Sequence, residues 1–322
     1  MPARPPRTVP DPTRVSPAIT AVELRALAME QITRLGTTEV GARRAVDGRL
    51  GGQRQGLRQG GGVEFAEHRD YAPGDDLRRL DWRAFARNDR LYIKMFEEEV
   101  HTSVLLVVDA SASMAMRDTV TSVGGRAPVD KWRQVQVLAA VLALLIGRQG
   151  DALGLQVCGD DGPAPRITSG PAQVSRVLAR IAALQPDGAA ALPELAAHSA
   201  VAHCSVVIVL SDLLTDPKEA IAPLARMRRA GPDVLLLHAL HPVEQTFDFG
   251  QAVELYCEER GTRMRVEPRV VRQRYLAMMA AHQDALRQRC LDAGIRYNML
   301  NLGEPASVEL RRALGGLQQG RR

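Results

Sequence analysis

The sequence predicts an α/β fold built on a doubly wound, mostly parallel sheet, with a smaller β-rich addition. Near-continuous apolar runs at 104–108, 206–210 and 234–237 suit strands buried on both faces. Stretches such as 131–148, 218–229 and 271–292 carry apolar residues at three-and-four spacing, the period of a helix with one buried face. From residue 104 onward the two patterns alternate regularly, as when crossover helices join parallel strands.

The elements follow in chain order. Six prolines between Pro2 and Pro17 disfavour helix over 1–19 and predict a flexible tail. Leu24, Leu27, Ala28, Ile32 and Leu35 then space out an amphipathic helix over 19–35 that should dock on the rest of the chain. Glycines destroy any period over 48–62, which reads as a loop. The strand at 104–108 leads to a helix at 131–148, a strand at 151–158, helices at 172–184 and 192–202, a strand at 206–210, a helix at 218–229 and a strand at 234–237. Arg260-Gly261-Thr262 interrupts the alternation between two short β-rich runs, so 252–267 reads as a hairpin. The helix over 271–292 should bury Tyr275, Met278, Met279, His282, Leu286 and Cys290, and 295–302 closes the sheet. The implied organisation is a tail and short helix over 1–40, a β-rich segment over 41–100, and the α/β domain over 101–315 with its hairpin insertion. Neither the β-rich segment nor the hairpin fits the alternation, so the two are expected to pack together as a smaller layer.

Composition removes several function classes. The chain has 322 residues, 45% hydrophobic and 25% charged, which is ample for a packed core. Aromatics make up only 4%, leaving few platforms on which bases could stack. The net charge of +5 arises from 42 basic residues interspersed with 37 acidic ones, which argues against a phosphate-binding surface. Lys94, Lys131 and Lys218 are the only lysines. Cys158, Cys204, Cys257 and Cys290 form no CxxC pair and fit a reducing, cytoplasmic setting. No stretch approaches the ~20 apolar residues of a membrane span. His68, His101, His198, His203, His238, His241 and His282 are scattered without ligand spacing and are assigned no chemistry.

The chemistry concentrates where strands end. The first strand runs into Asp109-Ala110-Ser111-Ala112-Ser113, and the second into Leu210-Ser211-Asp212. Ligand sites of open α/β sheets lie at such carboxyl ends. One carboxylate and two hydroxyls spaced by two, joined by a second strand-end carboxylate, form a hard oxygen set suited to Mg²⁺ or Mn²⁺. Asp and Ser after strands also cap helices and form turns, which is the structural alternative. Two carboxylates this close repel one another without an ion, so replacing Asp109 or Asp212 should leave the fold intact.

A more specific resemblance covers about 41–315. It is carried by Gly62-Val63-Glu64-Phe65, Arg69-Asp70-Tyr71-Ala72-Pro73-Gly74-Asp75-Asp76, Arg79-Leu80-Asp81-Trp82, Ala86-Arg87, Phe96-Glu97-Glu98-Glu99 and the Asp109 to Met114 turn. Together these resemble the domain-of-unknown-function fifty-eight family of bacteria, which contains a von Willebrand factor A-like, Rossmann-type domain and is associated with MoxR-type AAA+ ATPases. The resemblance implies a sheet order of 3-2-1-4-5-6 and a metal-ion-dependent adhesion site with Asp109, Ser111, Ser113 and Asp212 as ligands. Such domains usually add a threonine, where this chain reads Asp187-Gly188-Ala189-Ala190. Alanine offers no oxygen, so weak metal binding is expected.

Over 62–99 a Pro-Gly turn lies among arginines and aspartates that can pair with one another or dock a partner. Candidate partner-binding residues there are Arg69, Tyr71, Asp75, Asp76, Arg79, Asp81, Trp82 and Arg87, with Trp82 expected in the core. The leading functional expectation is a non-enzymatic, metal-dependent protein-binding module. It would work with a MoxR-type ATPase in assembly, maturation or chaperone-like remodelling of a client protein. A metal-dependent hydrolase is one alternative, although no general base, Walker A sequence or nucleophile elbow is evident. Nucleic-acid binding through Arg43, Arg44, Arg49, Arg54 and Arg58 is the other.

Overall fold

A computed structural model describes residues 16–35, 63–71, 80–88, 90–98, 102–117, 128–158, 164–188, 204–249, 253–257 and 262–315. The loop expected at 48–62, the helix expected at 192–202, and Asp75, Asp76, Arg79 and Ala189 lie outside the described residues. The chain divides into two compact units, one formed by Leu50–His101 and the other by Met1–Arg49 with Thr102–Arg322.

In the smaller unit, β1 (Val63–Asp70) pairs antiparallel with β2 (Tyr92–Glu98), and a register shift falls between Phe65 and Glu67. Helix α2 (Trp82–Asn88) lies between them in sequence. Asp81 is buried and accepts the Ala84 N–H at 3.1 Å, so this carboxylate closes the first turn of α2. Trp82 is 61% exposed and meets Phe85 edge-on, against the expectation of a core position: the residue opening α2 points its ring outward.

In the larger unit, β3 (Ser103–Val108), β4 (Ala152–Val157), β5 (Val206–Ser211), β6 (Asp233–Leu240) and β9 (Arg296–Asn301) form one parallel sheet ordered β4-β3-β5-β6-β9. Where a sixth strand is expected beyond β4, the described residues form a single antiparallel bridge between Leu153 and Thr168. Pro165 precedes Thr168 without an N–H donor, and Gly170-Pro171 starts a helix directly after it, which leaves little room for a ladder. Strands β7 (Val253–Cys257) and β8 (Thr262–Val266) pair antiparallel as a sheet of their own.

Alternate strand residues serve opposite faces of the sheet, as the two-residue strand period requires. Val104, Leu106, Val108, Ile208 and Leu210 join a core with helices α1 (Ala21–Leu35), α3 (Lys131–Arg148), α4 (Pro171–Ala183) and α8 (Ala306–Gly315). Leu105, Val107, Val207 and Val209 join a second core with α5 (Pro217–Ala230) and α7 (Pro268–Asp292). The result is a doubly wound α/β sandwich. Helix α3 lies between the sheet and other helices, so its burial extends almost all round.

Helix α1 begins with a capping box: the Glu23 N–H donates to the Thr20 hydroxyl at 3.2 Å and the Thr20 N–H to the Glu23 carboxylate at 2.9 Å. Its buried stripe is Leu24, Ala28, Ile32 and Leu35. The preceding residues are docked rather than free, because the buried Ser16 hydroxyl donates to the Asp130 carboxylate at 2.8 Å. Helix α7 departs from expectation as well: Leu286 and Cys290 are buried, but Met278 is 64% exposed. At ~1.5 Å per residue the 25-residue helix is longer than the strands it crosses, and its first half overruns them.

Candidate metal centre

The winding of the sheet reverses between β3 and β5. The chain leaves β3 for β4 on one side and returns to β5 on the other, which opens a crevice at the carboxyl ends of these two parallel strands. Asp109 and Asp212 stand there, each fully buried at the end of its strand. The strand ends are tied together by the Asp109 N–H donating to the Leu210 carbonyl at 2.9 Å.

Around Asp109, the Ser211 hydroxyl donates to one carboxylate oxygen at 2.6 Å and the Ser111 N–H to the other at 2.9 Å. Burial, followed by the charge of Asp212, raises the Asp109 pKa despite these bonds. The Ser111 and Ser113 hydroxyl oxygens are 3.0 Å apart, and Ser113 also hydrogen-bonds Asp212. The four residues expected from sequence are therefore brought into one cluster. Ser113 is only partly buried, whereas Ser111 is 2% exposed.

The loop after α4 is bolted onto this turn. The Asp187 N–H donates to the Ala110 carbonyl at 2.8 Å and the Ala112 N–H to the Gly188 carbonyl at 2.9 Å, with Gly188 at φ +70°. The Asp187 carboxylate accepts the Gly188 N–H at 2.7 Å, which makes it a turn former. Helix α3 fixes the same loop through the Trp132 indole N–H, which donates to the Leu184 carbonyl at 3.2 Å.

The β5 end is held from several sides. The His238 Nε2–H donates to the Asp212 carbonyl at 2.8 Å, which leaves Nδ1 to accept the Tyr297 hydroxyl at 2.7 Å. Burial pushes His238 down to about 4, so it is neutral at physiological pH. The His282 Nε2–H donates to the Leu213 carbonyl at 3.0 Å, and the Leu213 N–H donates to the Ser211 hydroxyl at 3.0 Å. Leu213 sits at φ +50°, an unfavourable conformation for a branched side chain, and these bonds hold it there.

Sequence reasoning missed the cation in this cluster. Lys131, at the start of α3, is fully buried, and its Nζ lies 2.7 Å from the Asp212 carboxylate and 2.7 Å from that of Glu244. Glu244 lies in α6 (Pro242–Thr246), where its other oxygen accepts the His241 N–H at 2.6 Å. Burial disfavours the ammonium, but the two carboxylates outweigh that and raise the Lys131 pKa. Burial likewise opposes the Asp212 carboxylate, and Lys131 outweighs it, so the Asp212 pKa is lowered. The available signal was a rare lysine at a helix start; Ser211 had stood beside Asp212 in the strand-end motif all along.

Among the described residues no three His, Cys, Asp or Glu side chains gather as a metal cluster. The candidate ligand set is two carboxylates and two hydroxyls. All are hard oxygens, the donor type that suits Mg²⁺ or Mn²⁺. Of the partner-binding candidates, Tyr71 is partly buried, Asp81 caps α2 and Trp82 is exposed. Arg69 and Arg87 are placed in β1 and α2 by their backbones alone.

The family model for the protein of unknown function DUF58 matches residues 67–285. A relative named uncharacterized protein Rv1480, from Mycobacterium tuberculosis, is 30% identical over 218 residues, covering 65% of this chain and 64% of its own. The match thus spans just under two thirds of that relative's length. Among solved structures, an aerotolerance-related membrane protein from Bacteroides fragilis, bearing multiple mutations to serines, aligns with TM-score 0.41 and 14% identity over 67% of this chain and 99% of that one. The conserved hypothetical protein BatB from Bacteroides thetaiotaomicron aligns with TM-score 0.40 and 14% identity over 68% of this chain and 100% of that one.

Proposed function

The chain belongs to the DUF58 family, and on that premise we propose that it is a metal-dependent protein-binding module and not an enzyme. The observation that carries this reading is the gathering of Asp109, Ser111, Ser113 and Asp212 at the switch point of the sheet. These residues would hold Mg²⁺ or Mn²⁺, and the ion would supply an electrophilic contact for a carboxylate of the partner. Asp109 and Asp212 contribute charge, Ser111 and Ser113 neutral oxygens, and the Asp187-Gly188 loop keeps the turn in shape. The two described histidines of this cluster are already engaged and support the non-enzyme reading: His238 uses both ring nitrogens on Asp212 and Tyr297, and His241 uses its own on Val129 and Val243.

The family resemblance of the sequence supplies the partner class: a MoxR-type AAA+ ATPase together with a client protein. The exposed Trp82 in the smaller unit supports a second contact surface there, with Arg69, Tyr71 and Arg87 nearby in sequence. Free, buried thiols at Cys158 and Cys290 support a reducing cytoplasm as the place of action. No helix among the described residues is long and apolar enough to cross a membrane.

The test is retention of the co-purifying ATPase on the immobilised full chain, with and without chelator. Retention should depend on the divalent ion and fall in Asp109→Ala. Retention indifferent to both would remove the ion from the contact. Metal-dependent hydrolysis of a phosphoester or peptide by the purified chain, lost in Asp109→Ala, would replace this reading with the hydrolase one.

A further inference from the structure

We propose that Lys131 is the resident counter-cation of this site: its ammonium holds Asp212 and Glu244 in place when no ion is bound, and opposes the divalent ion when one arrives. The inference rests on the metal-binding reading above and assigns Lys131 and Glu244 opposite effects on ion affinity.

Position supports it first. Lys131 is the first residue of α3, directly after the cap Asp130, whose carboxylate accepts the Arg133 N–H at 2.9 Å. A helix N-terminus carries partial positive charge, so a cation there is unfavourable for the helix itself. Full burial is unfavourable for it as well. Both penalties fall on the one residue that reaches the two carboxylates. Residue type agrees: only three of the 42 basic residues are lysines, and this one sits where two single-point contacts are needed. An arginine fork would bring five donors into a space that offers two carboxylate oxygens.

Charge supports it next. Asp109, Asp212 and Glu244 carry three formal negative charges when ionised, against the single positive charge of Lys131. The remainder is −2, which one divalent cation neutralises. Neither anchor of Lys131 is loose. Glu244 is also held by the His241 N–H, and its carbonyl accepts the Tyr275 hydroxyl at 2.8 Å, which ties it to α7. The Asp212 carbonyl is held by His238. Lys131 therefore orients the Asp212 carboxylate and also lowers the negative potential an ion would meet.

The experiment is calorimetric titration of Mn²⁺ into the full chain for wild type, Lys131→Met and Glu244→Gln, alongside thermal melting in chelator. Removing the ammonium should tighten Mn²⁺ binding by roughly tenfold or more, while lowering the metal-free melting point. Removing the Glu244 charge should weaken binding by a similar factor. A merely structural role would weaken binding in both variants, and that result overturns the proposal, as does Lys131→Met binding no tighter than wild type. A Lys131→Met chain that folds only with Mn²⁺ present gives the expected ion dependence in its strongest form. If it folds under neither condition, Glu244→Gln decides, and unchanged or tighter binding refutes the idea. Wild type that binds no Mn²⁺ at all refutes the metal reading instead. The structural half then rests on melting in chelator, where Lys131→Met should lose stability and Lys131→Met/Asp212→Asn should regain part of it. No recovery in the double variant overturns that half.

Discussion

Replacing Asp212 with alanine removes one of the two carboxylates that hold a fully buried ammonium. The sequence alone suggested that either strand-end aspartate could be removed without cost to the fold. The side chains of Lys131 and Asp212 are 0% and 1% exposed, so solvent cannot take over the lost contact. Breaking a buried pair from one side costs about 3–5 kcal/mol, and Glu244 remains to hold Lys131, which places this case near about 3 kcal/mol. For a domain of this size each kcal/mol shifts the melting point by about 2–4 °C, giving a loss of about 6–12 °C. Asp109→Ala differs. It loses bonds from Ser211 and Ser111, at about 0.5–1.5 kcal/mol each, but also removes a carboxylate whose charged form burial disfavours. Its melting point should stay within about 3 °C of wild type. Circular dichroism melts of both variants in chelator near neutral pH measure the contrast. Asp212→Ala melting within about 2 °C of wild type, or Asp109→Ala losing as much as Asp212→Ala, would refute the assignment of Lys131 to Asp212.

Acidity should act on Asp109 in the opposite sense to its neighbour. Its folded pKa lies above the unfolded value of about 3.9, so its stability contribution is full below that value and declines as pH rises to the folded pKa. Metal-free wild type should therefore gain stability relative to Asp109→Asn as pH falls from about 8 toward 4. Wild type losing stability relative to Asp109→Asn over that range would reverse the sign of the shift. Asp212 has a lowered pKa, so its contribution is present above about 3.9 and is lost as pH falls through the folded value. Introducing Ala189→Thr should tighten Mn²⁺ binding by calorimetry, and unchanged affinity would mean that a hydroxyl there does not reach the ion. Leu24→Ala removes a fully buried anchor of α1 and should cost about 2–5 kcal/mol by denaturant unfolding. A loss under ~1 kcal/mol would show that α1 contributes little to the core.

The parts of this fold that read clearly from sequence are those in which burial leaves a continuous or periodic mark. Strands β3 and β5 are apolar over 104–108 and 206–210 because helices cover both faces of the sheet, and α3 spans 131–148 as its spacing requires. Strand β9, at the sheet edge, is half-polar and legible mainly from its place after a long helix. Periodicity marks which face of a helix is apolar but not how far the sheet beneath it extends, and Met278 was misread for that reason. Prolines argued for a loose start to the chain, yet Ser16 found a partner at Asp130, 114 residues away. The same limit governed the site. Asp109, Ser111, Ser113 and Asp212 stand directly after strands, where the fold class alone locates them. Lys131 and Glu244 are 113 residues apart, and only the placement of α3 and α6 over the crevice brings them to Asp212.

Titrating Mn²⁺ into the full chain and following the free-ion signal by electron paramagnetic resonance measures ion capture at this crevice directly. Wild type should quench the signal up to a single ion per chain, and Asp109→Ala should leave it as it is in buffer. A free-ion signal that wild type fails to quench, or that both proteins quench equally, would contradict a metal centre at Asp109, Ser111, Ser113 and Asp212.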